Sequence, residues 1–372
     1  MERFYLELRE IFREHGGASV RHGKRVGIAT RSLREEYLRR ELHRLRTGRL
    51  VRREGDALVP QPAYRIPSPY ALGRRHVDAL IEDWLARHIS TAYIHNLISM
   101  LRVFAVWIRK PNLVPATADI IAEPHHKRRE QVAVKDKSWS SAGIDIPRKL
   151  RDIAEDEPGA ALALELMWVF GLRLKEASLL RPYLADRGNY LDVSRGTKGG
   201  RERIHPVAKP RERELLDRIK RFVSYRTDCL VPKGKSYRSW QDRVYYVLRK
   251  NGITRKLLGT STHGLRHEYL NALYHELTGT PSAVRGGGPV DPELDRYART
   301  EVAEAAGHTR PGIASCYLGR AVQGRPQKRV DTADQLRAGQ CPSGDQRCDL
   351  AGPPDEERSD GAEQAAAFDI GL

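Results

Sequence analysis

Cysteine is scarce in this chain. Its 372 residues include four, Cys229, Cys316, Cys341 and Cys348, too scattered for a disulfide framework, and the closest pair has no histidine nearby to complete a metal site. Free thiols in a reducing cytoplasm are therefore expected. Long apolar runs are also missing. The longest, Ala160 to Leu172, is broken by Glu165 and is too short to span a bilayer. The opening Met1-Glu2-Arg3-Phe4-Tyr5-Leu6-Glu7 carries charge where a signal peptide needs its apolar centre. No membrane partner is expected, and no internal repeat is visible.

Positive charge, by contrast, is abundant. Sixty-five Lys and Arg against 48 Asp and Glu give a net charge of +17. Val330 to Leu372 holds ten acidic and three basic residues, so the chain before it is more basic than the whole. A polyanionic partner follows. Between Arg21 and Glu54 lie twelve Lys or Arg and four acids, a density that suits phosphate contacts and equally suits a solvated helical face.

The length leaves room for two domains and a tail. Leu33, Tyr37, Leu38, Leu42 and Leu45 recur at helical spacing, as do the apolar residues of His76 to Leu85. Ser90-Thr91 offers an N-cap for a third helix that runs through Ile94, Leu97, Leu101 and Phe104 and stops before Pro111. Residues 1–112 are thus expected to form a helical DNA-binding domain. Residues 113–146, with His125-His126-Lys127-Arg128-Arg129, form an expected interdomain linker. The second domain, residues 147–323, is expected to be mainly helical with a small antiparallel sheet. Ala160 to Phe170 reads as a buried helix. Tyr190 to Ser194 and Arg203 to Val207 read as paired strands, with Lys198-Gly199-Gly200 turning between them. Residues 324–372 are expected to be a disordered acidic tail.

The residues that carry chemistry are spread over this second domain. Arg173 and Glu176, in Gly171-Leu172-Arg173-Leu174-Lys175-Glu176-Ala177, lie at i and i+3, so that Glu176 can orient Arg173. Lys198 stands at the expected hairpin tip. His263-Gly264-Leu265-Arg266 opens a helix, and Gly307-His308 is followed nine residues after His308 by Tyr317. Taken singly, each has a duller reading: a surface ion pair, a turn, a chance His-x-x-Arg, a core tyrosine. Taken in order, they fit one reaction. Attack by a phenol on a phosphodiester builds a pentavalent phosphorane with extra negative charge, so fixed cations must grip the nonbridging oxygens. Arginine forks match phosphate oxygens and stay charged. Lys198 suits proton donation to the departing 5′ oxygen, His308 a hydrogen bond to the phosphate, and His263 acceptance of the phenolic proton. The scheme requires no metal and no cofactor.

The order Arg173, Lys198, His263-x-x-Arg266, His308, Tyr317 resembles that of the tyrosine recombinases, the phage-type site-specific integrases, over roughly residues 20 to 320. The resemblance implies that Arg173, Lys198, His263, Arg266 and His308 assist while Tyr317 forms a 3′-phosphotyrosyl bond. It also implies a SAM-like core-binding bundle around Ala71 to Val114, a synaptic homo-tetramer, double-stranded attachment-site DNA as partner, possible DNA-bending accessory proteins, and a bacterial cytoplasmic, nucleoid-associated location. His263 and His308 stand farther apart than is usual for the family. The Gly/Pro-rich stretch Thr278 to Arg296 accounts for this and resembles an insert of integrases from proteobacterial integrative elements. Three other readings stand beside integration or excision of a mobile element: a replicon-dimer resolvase, a type IB topoisomerase-like enzyme, and a catalytically idle DNA-binding regulator.

Overall fold

A computed structural model describes residues 2–17, 25–121 and 132–322, which fall into two compact units that divide after Glu130. The first unit is a helical bundle with one hairpin. Its helices Ile28–Arg46, Arg74–Ala86 and Thr91–Trp107 follow the apolar periodicities of the sequence. Ser90 caps the last of these by accepting from the Tyr93 amide, as the sequence leads one to expect. A further helix, Glu2–His15, buries Phe4, Leu8, Ile11 and Phe12 in the same core. The hairpin Val51–Glu54 with Ala57–Pro60 pairs Arg53 with Leu58.

The basic run contributes less free charge than its composition implies. The Arg44 fork lies on fully buried Asp83 at 2.8 and 2.9 Å and reaches Glu41 at 3.0 Å. Arg39 pairs with Glu35, and Arg46 stacks over Phe4 at 4.0 Å. These arginines hold the bundle together, while Arg49 and Arg53 remain on its exterior. Residues 18–24, with Arg21 and Lys24, lie outside the described residues. So do 122–131, with the His125 to Arg129 cluster, and 323–372, with the acidic tail and two of the cysteines. The stretch read as a linker is not uniform: Val114 and Ile121 belong to the core of the first unit, Trp139 and Ile146 to that of the second.

The second unit is built around helix Pro158–Phe170. Its Ala, Leu, Met and Phe residues are buried almost all round, against helices Ile146–Asp156, Leu174–Leu179, Pro210–Phe222 and His263–Thr278. Each fully buried Leu, Met or Phe there contributes about 1.5–3 kcal/mol. Strands Tyr190–Val193 and Arg203–Pro206 pair antiparallel, with Leu191 opposite His205 and Val193 opposite Arg203. The Gly/Pro-rich stretch is ordered: Ala283–Arg285 forms a single 3-10 turn, and Pro292 already opens helix Pro292–Ala305, capped by Asp291. Arg285 fastens the turn down through Asp136, Ser138 and Glu268 at 2.8–2.9 Å. Tyr317 sits on the short helix Ser315–Leu318. Among the described residues, the fold is mainly helical with two small antiparallel sheets, and no helix is long and apolar enough to cross a membrane.

Candidate active site

Helix Pro158–Phe170 ends because Gly171 takes a left-handed conformation, φ 62°. A Cβ there would stand 2.3 Å from the Tyr269 ring, so both the backbone and the available space require glycine. This turn does two things. It places Arg173 as the N-cap of helix Leu174–Leu179, and it leaves the Gly171 carbonyl accepting from Arg266 Nη1.

Arg266 is fully buried, one turn into helix His263–Thr278. Its Nη2 donates to the Ala306 carbonyl, and its Nε donates to the Tyr317 hydroxyl at 3.3 Å. Arg173 reaches the same Ala306 carbonyl through Nη2 at 3.0 Å. Two guanidinium groups thus converge on one oxygen at the negative end of helix Pro292–Ala305. Burial, then the charge of Arg266, lowers the pKa of Arg173. A dianionic group would relieve that crowding.

Glu176 holds this arrangement from beneath. It is fully buried and accepts from Arg173 Nη1 at 2.8 Å and from the Arg173 backbone N–H at 2.7 Å. Arg203 clasps both of its oxygens, at 3.0 and 2.5 Å. Burial alone would raise the carboxyl pKa, but the bonds and charge of Arg203, followed by those of Arg173, bring it down to about 2.

Four imidazoles lie in or against the cluster, and all are driven toward the neutral form. Burial comes first in each case. His308 falls to about 4, helped by Arg173, Arg266 and Lys198, and His205 falls to about 3 beside Arg203. His267 falls to about 3 as well, and His263 well below its ordinary value, beside His267 and Arg266. Because arginine only donates, the 3.4 Å contact from Arg173 Nη2 makes His308 Nε2 the acceptor and leaves Nδ1 to carry the proton.

Tyr317 is 5% exposed, its ring 5.9 Å from that of His263 and 4.9 Å from that of His267. Its backbone carbonyl accepts from Asn271 at 3.4 Å. The ring is therefore packed in the core while the hydroxyl meets a guanidinium. Lys198 stands apart, exposed on the loop between the two strands, near enough for its charge to act on His308. Arg201 of that loop reaches Thr309 at 3.3 Å. Arg173, Glu176, His263, Arg266, His308 and Tyr317 thus form one cluster, with Lys198 at its edge.

Arg203, His205 and His267 were not among the residues singled out from sequence. Strand alternation was the available signal for the first two. A hydrophobicity reading turns Ile204 inward, whereas the structure leaves Ile204 65% exposed and buries Arg203 and His205 on either side of it. His267 carries a buried Nδ1 with no hydrogen-bond partner.

These imidazoles set a pH dependence of stability. Their folded pKa values lie below the ordinary 6.5, so the unfolded chain takes up protons first as pH falls. Stability is complete above about pH 6.5 and is lost progressively toward pH 4 and below. Glu176, at about 2 against an ordinary 4.5, adds its own loss below pH 4.5. The thermal midpoint should fall steadily from pH 7 to pH 4.5, and a flat profile would contradict buried neutral imidazoles.

Residues 133–271 match the family model for integrases, a span that includes Arg173, Lys198, His263 and Arg266 and ends before His308 and Tyr317. No curated protein matches the chain. Among solved structures, a lambda integrase tetramer bound to a Holliday junction is similar at a TM-score of 0.53 and 15% identity, over 87% of this chain and 80% of that one. A lambda integrase(75-356) dimer bound to a COC′ core site is similar at a TM-score of 0.52 and 15% identity, over 88% and 99%. At such identity the structures speak for the fold alone, a tyrosine-recombinase-like arrangement, and the family model makes residues 133–271 similar in sequence to the integrases.

Proposed function

We propose that this chain is a site-specific DNA recombinase that cuts and rejoins strands through a 3′-phosphotyrosyl intermediate and so integrates or excises a mobile element. The observation that carries the reading is the convergence of Arg173 and Arg266 on one carbonyl, with the Tyr317 hydroxyl on the Arg266 Nε. A scissile phosphate displaces that carbonyl and is gripped by both forks. The Tyr317 oxygen bonds to phosphorus, and its proton passes to His263, held neutral by its surroundings. The bond from phosphorus to the 5′ oxygen breaks, and Lys198 protonates the leaving group. The His308 Nδ1–H donates to a nonbridging oxygen. The phosphotyrosyl bond conserves the energy of the broken ester, so a 5′ hydroxyl from a partner strand reseals it without ATP.

The helical first unit acts as the core-binding half of a clamp on the duplex. Two duplexes, each with two cleavage positions, call for a homo-tetramer in the synaptic complex, with DNA-bending proteins as accessory partners, all in the bacterial cytoplasm on the nucleoid. Two labelled duplexes carrying the junctions of the element test the reading when incubated with the protein and a chelator, without ATP. Recombinant strands that require both duplexes support it. Relaxation of any supercoiled plasmid, with no site requirement and no strand exchange, would instead make it a topoisomerase-like enzyme.

A further inference from the structure

Arg203 lies outside the set of groups given a chemical task, yet its surroundings are more constrained than those of Arg173. Its side chain is 8% exposed. Nη1 and Nη2 hold the two oxygens of Glu176, and Nε donates to His205 Nε2 at 3.0 Å. His205 can accept only as the neutral ring, and it is buried against Phe170 and Tyr269 at 6.4 and 6.2 Å between ring centroids. Each of the three guanidinium nitrogens thus donates to a buried partner. The neighbouring backbone is shaped to fit it. Gly307, φ 62°, precedes His308, and a Cβ there would stand 3.2 Å from Arg203 Nη1 and 3.4 Å from Arg173 Nη1.

Charge decides what this arrangement does. Glu176 bonded to Arg173 alone would be a neutral pair, with the carboxylate on Nη1 cancelling the charge that Nη2 must present to a phosphate. With Arg203 clasping both oxygens, the three groups carry one net positive charge, and the carboxylate is shared between two forks. We propose that Arg203 is a positioning residue for strand cleavage: by taking up the charge of Glu176, it leaves that of Arg173 available to the scissile phosphate while Glu176 still aims it. It also lies on the strand that follows the Lys198 loop, opposite Val193, so one side chain ties that loop to the Arg173 turn. The inference rests on the recombinase reading above.

The test uses the full-length protein and a nicked suicide duplex spanning a junction of its element, with the rate of adduct formation read at saturating protein. Arg203→Gln should slow the adduct about 100-fold, with DNA affinity within about threefold of wild type because so buried a side chain makes no ordinary phosphate contact. Glu176→Gln, which unaims Arg173 but leaves its charge free, should cost about tenfold. The decisive variant is Glu176→Gln/Arg203→Gln. A positioning role predicts that it reacts at least five times faster than Arg203→Gln alone, because the amide no longer neutralises Arg173. A merely structural role predicts a double variant at least as slow as the worse single one. That outcome, an Arg203→Gln rate within threefold of wild type, or a loss of affinity equal to the loss of rate would overturn the proposal. Should Arg203→Gln not fold, Arg203→Lys, which keeps the charge and loses the fork, should show a rate deficit that Glu176→Gln reduces, and the absence of any such rescue overturns the proposal equally. Failure of the wild type to form any adduct would overturn the recombinase reading instead.

Discussion

Arg266→Lys is expected to slow strand cleavage by about a thousandfold or more while leaving DNA affinity nearly unchanged. Arg266 is fully buried and supplies three differently directed donors, to the Gly171 carbonyl, the Ala306 carbonyl and the Tyr317 hydroxyl. Lysine keeps the charge and loses the plane. One ammonium cannot reach both carbonyls and the phenol, so the phosphate loses a fork and Tyr317 loses the group that fixes its hydroxyl. Because Arg173 still donates to the Ala306 carbonyl, it is the Gly171 carbonyl that loses its partner, at a further cost of roughly 1–3 kcal/mol of stability. Single-turnover cleavage and a binding titration on the same duplex measure the two effects separately. A loss of less than tenfold in rate would show that Arg266 is a structural arginine.

The second large effect falls on the fold. Gly264→Ala is expected to destabilise the catalytic unit by about 3 kcal/mol, and occasionally more, as overpacking against a fixed backbone does. A Cβ at Gly264 would stand 2.1 Å from Thr260 Oγ1, 2.6 Å from the Lys137 carbonyl and 2.8 Å from the Trp139 ring. None of these can withdraw cheaply. The Thr260 hydroxyl donates to the Lys137 carbonyl at 2.6 Å, and Trp139, fully buried, donates from its indole to the Ser261 carbonyl at 2.7 Å. Residues 137–139 thus form a seat for the start of helix His263–Thr278, and Gly264 lets the helix sit down on it. Thermal unfolding of the variant should show its midpoint lowered by roughly 6–12 °C. An unchanged midpoint would mean that the seat gives way easily and that this glycine has no packing role.

What could be read from the sequence, and what could not, follows from how far each interaction reaches along the chain. The helices of both units were legible because an apolar stripe recurs locally, and Ser90 as a cap because its partner is Tyr93. The pairing of Glu176 with Arg173 was legible for the same reason, lying one helical turn apart. Helix Glu2–His15 carries a comparable stripe in Phe4, Leu8 and Ile11, but densely interleaved charges hide it, and its core partners lie in helices far along the chain. The hairpin Val51–Pro60 has no alternation to read. It is held by Asp83, which accepts from the Val51 amide at 2.9 Å, and by Gln61, which donates to the Val51 carbonyl at 3.0 Å. At the site, the order of chemical groups was visible, but not that Arg266 would spend its terminal nitrogens on the carbonyls of Gly171 and Ala306. Nor could the run of arginines between residues 21 and 54 show that Arg44 is committed to an internal carboxylate.

The central claim is that Tyr317 becomes covalently joined to DNA. The wild-type protein and Tyr317→Phe, incubated without added metal on nicked suicide duplexes from the ends of the element, should differ on a denaturing gel. The wild type should give a protein-DNA adduct at the 3′ phosphate, and Tyr317→Phe none, although both bind the duplex. Tight, salt-sensitive binding with no adduct from either protein, on DNA carrying a verified junction, would contradict the account and make the chain a DNA-binding regulator.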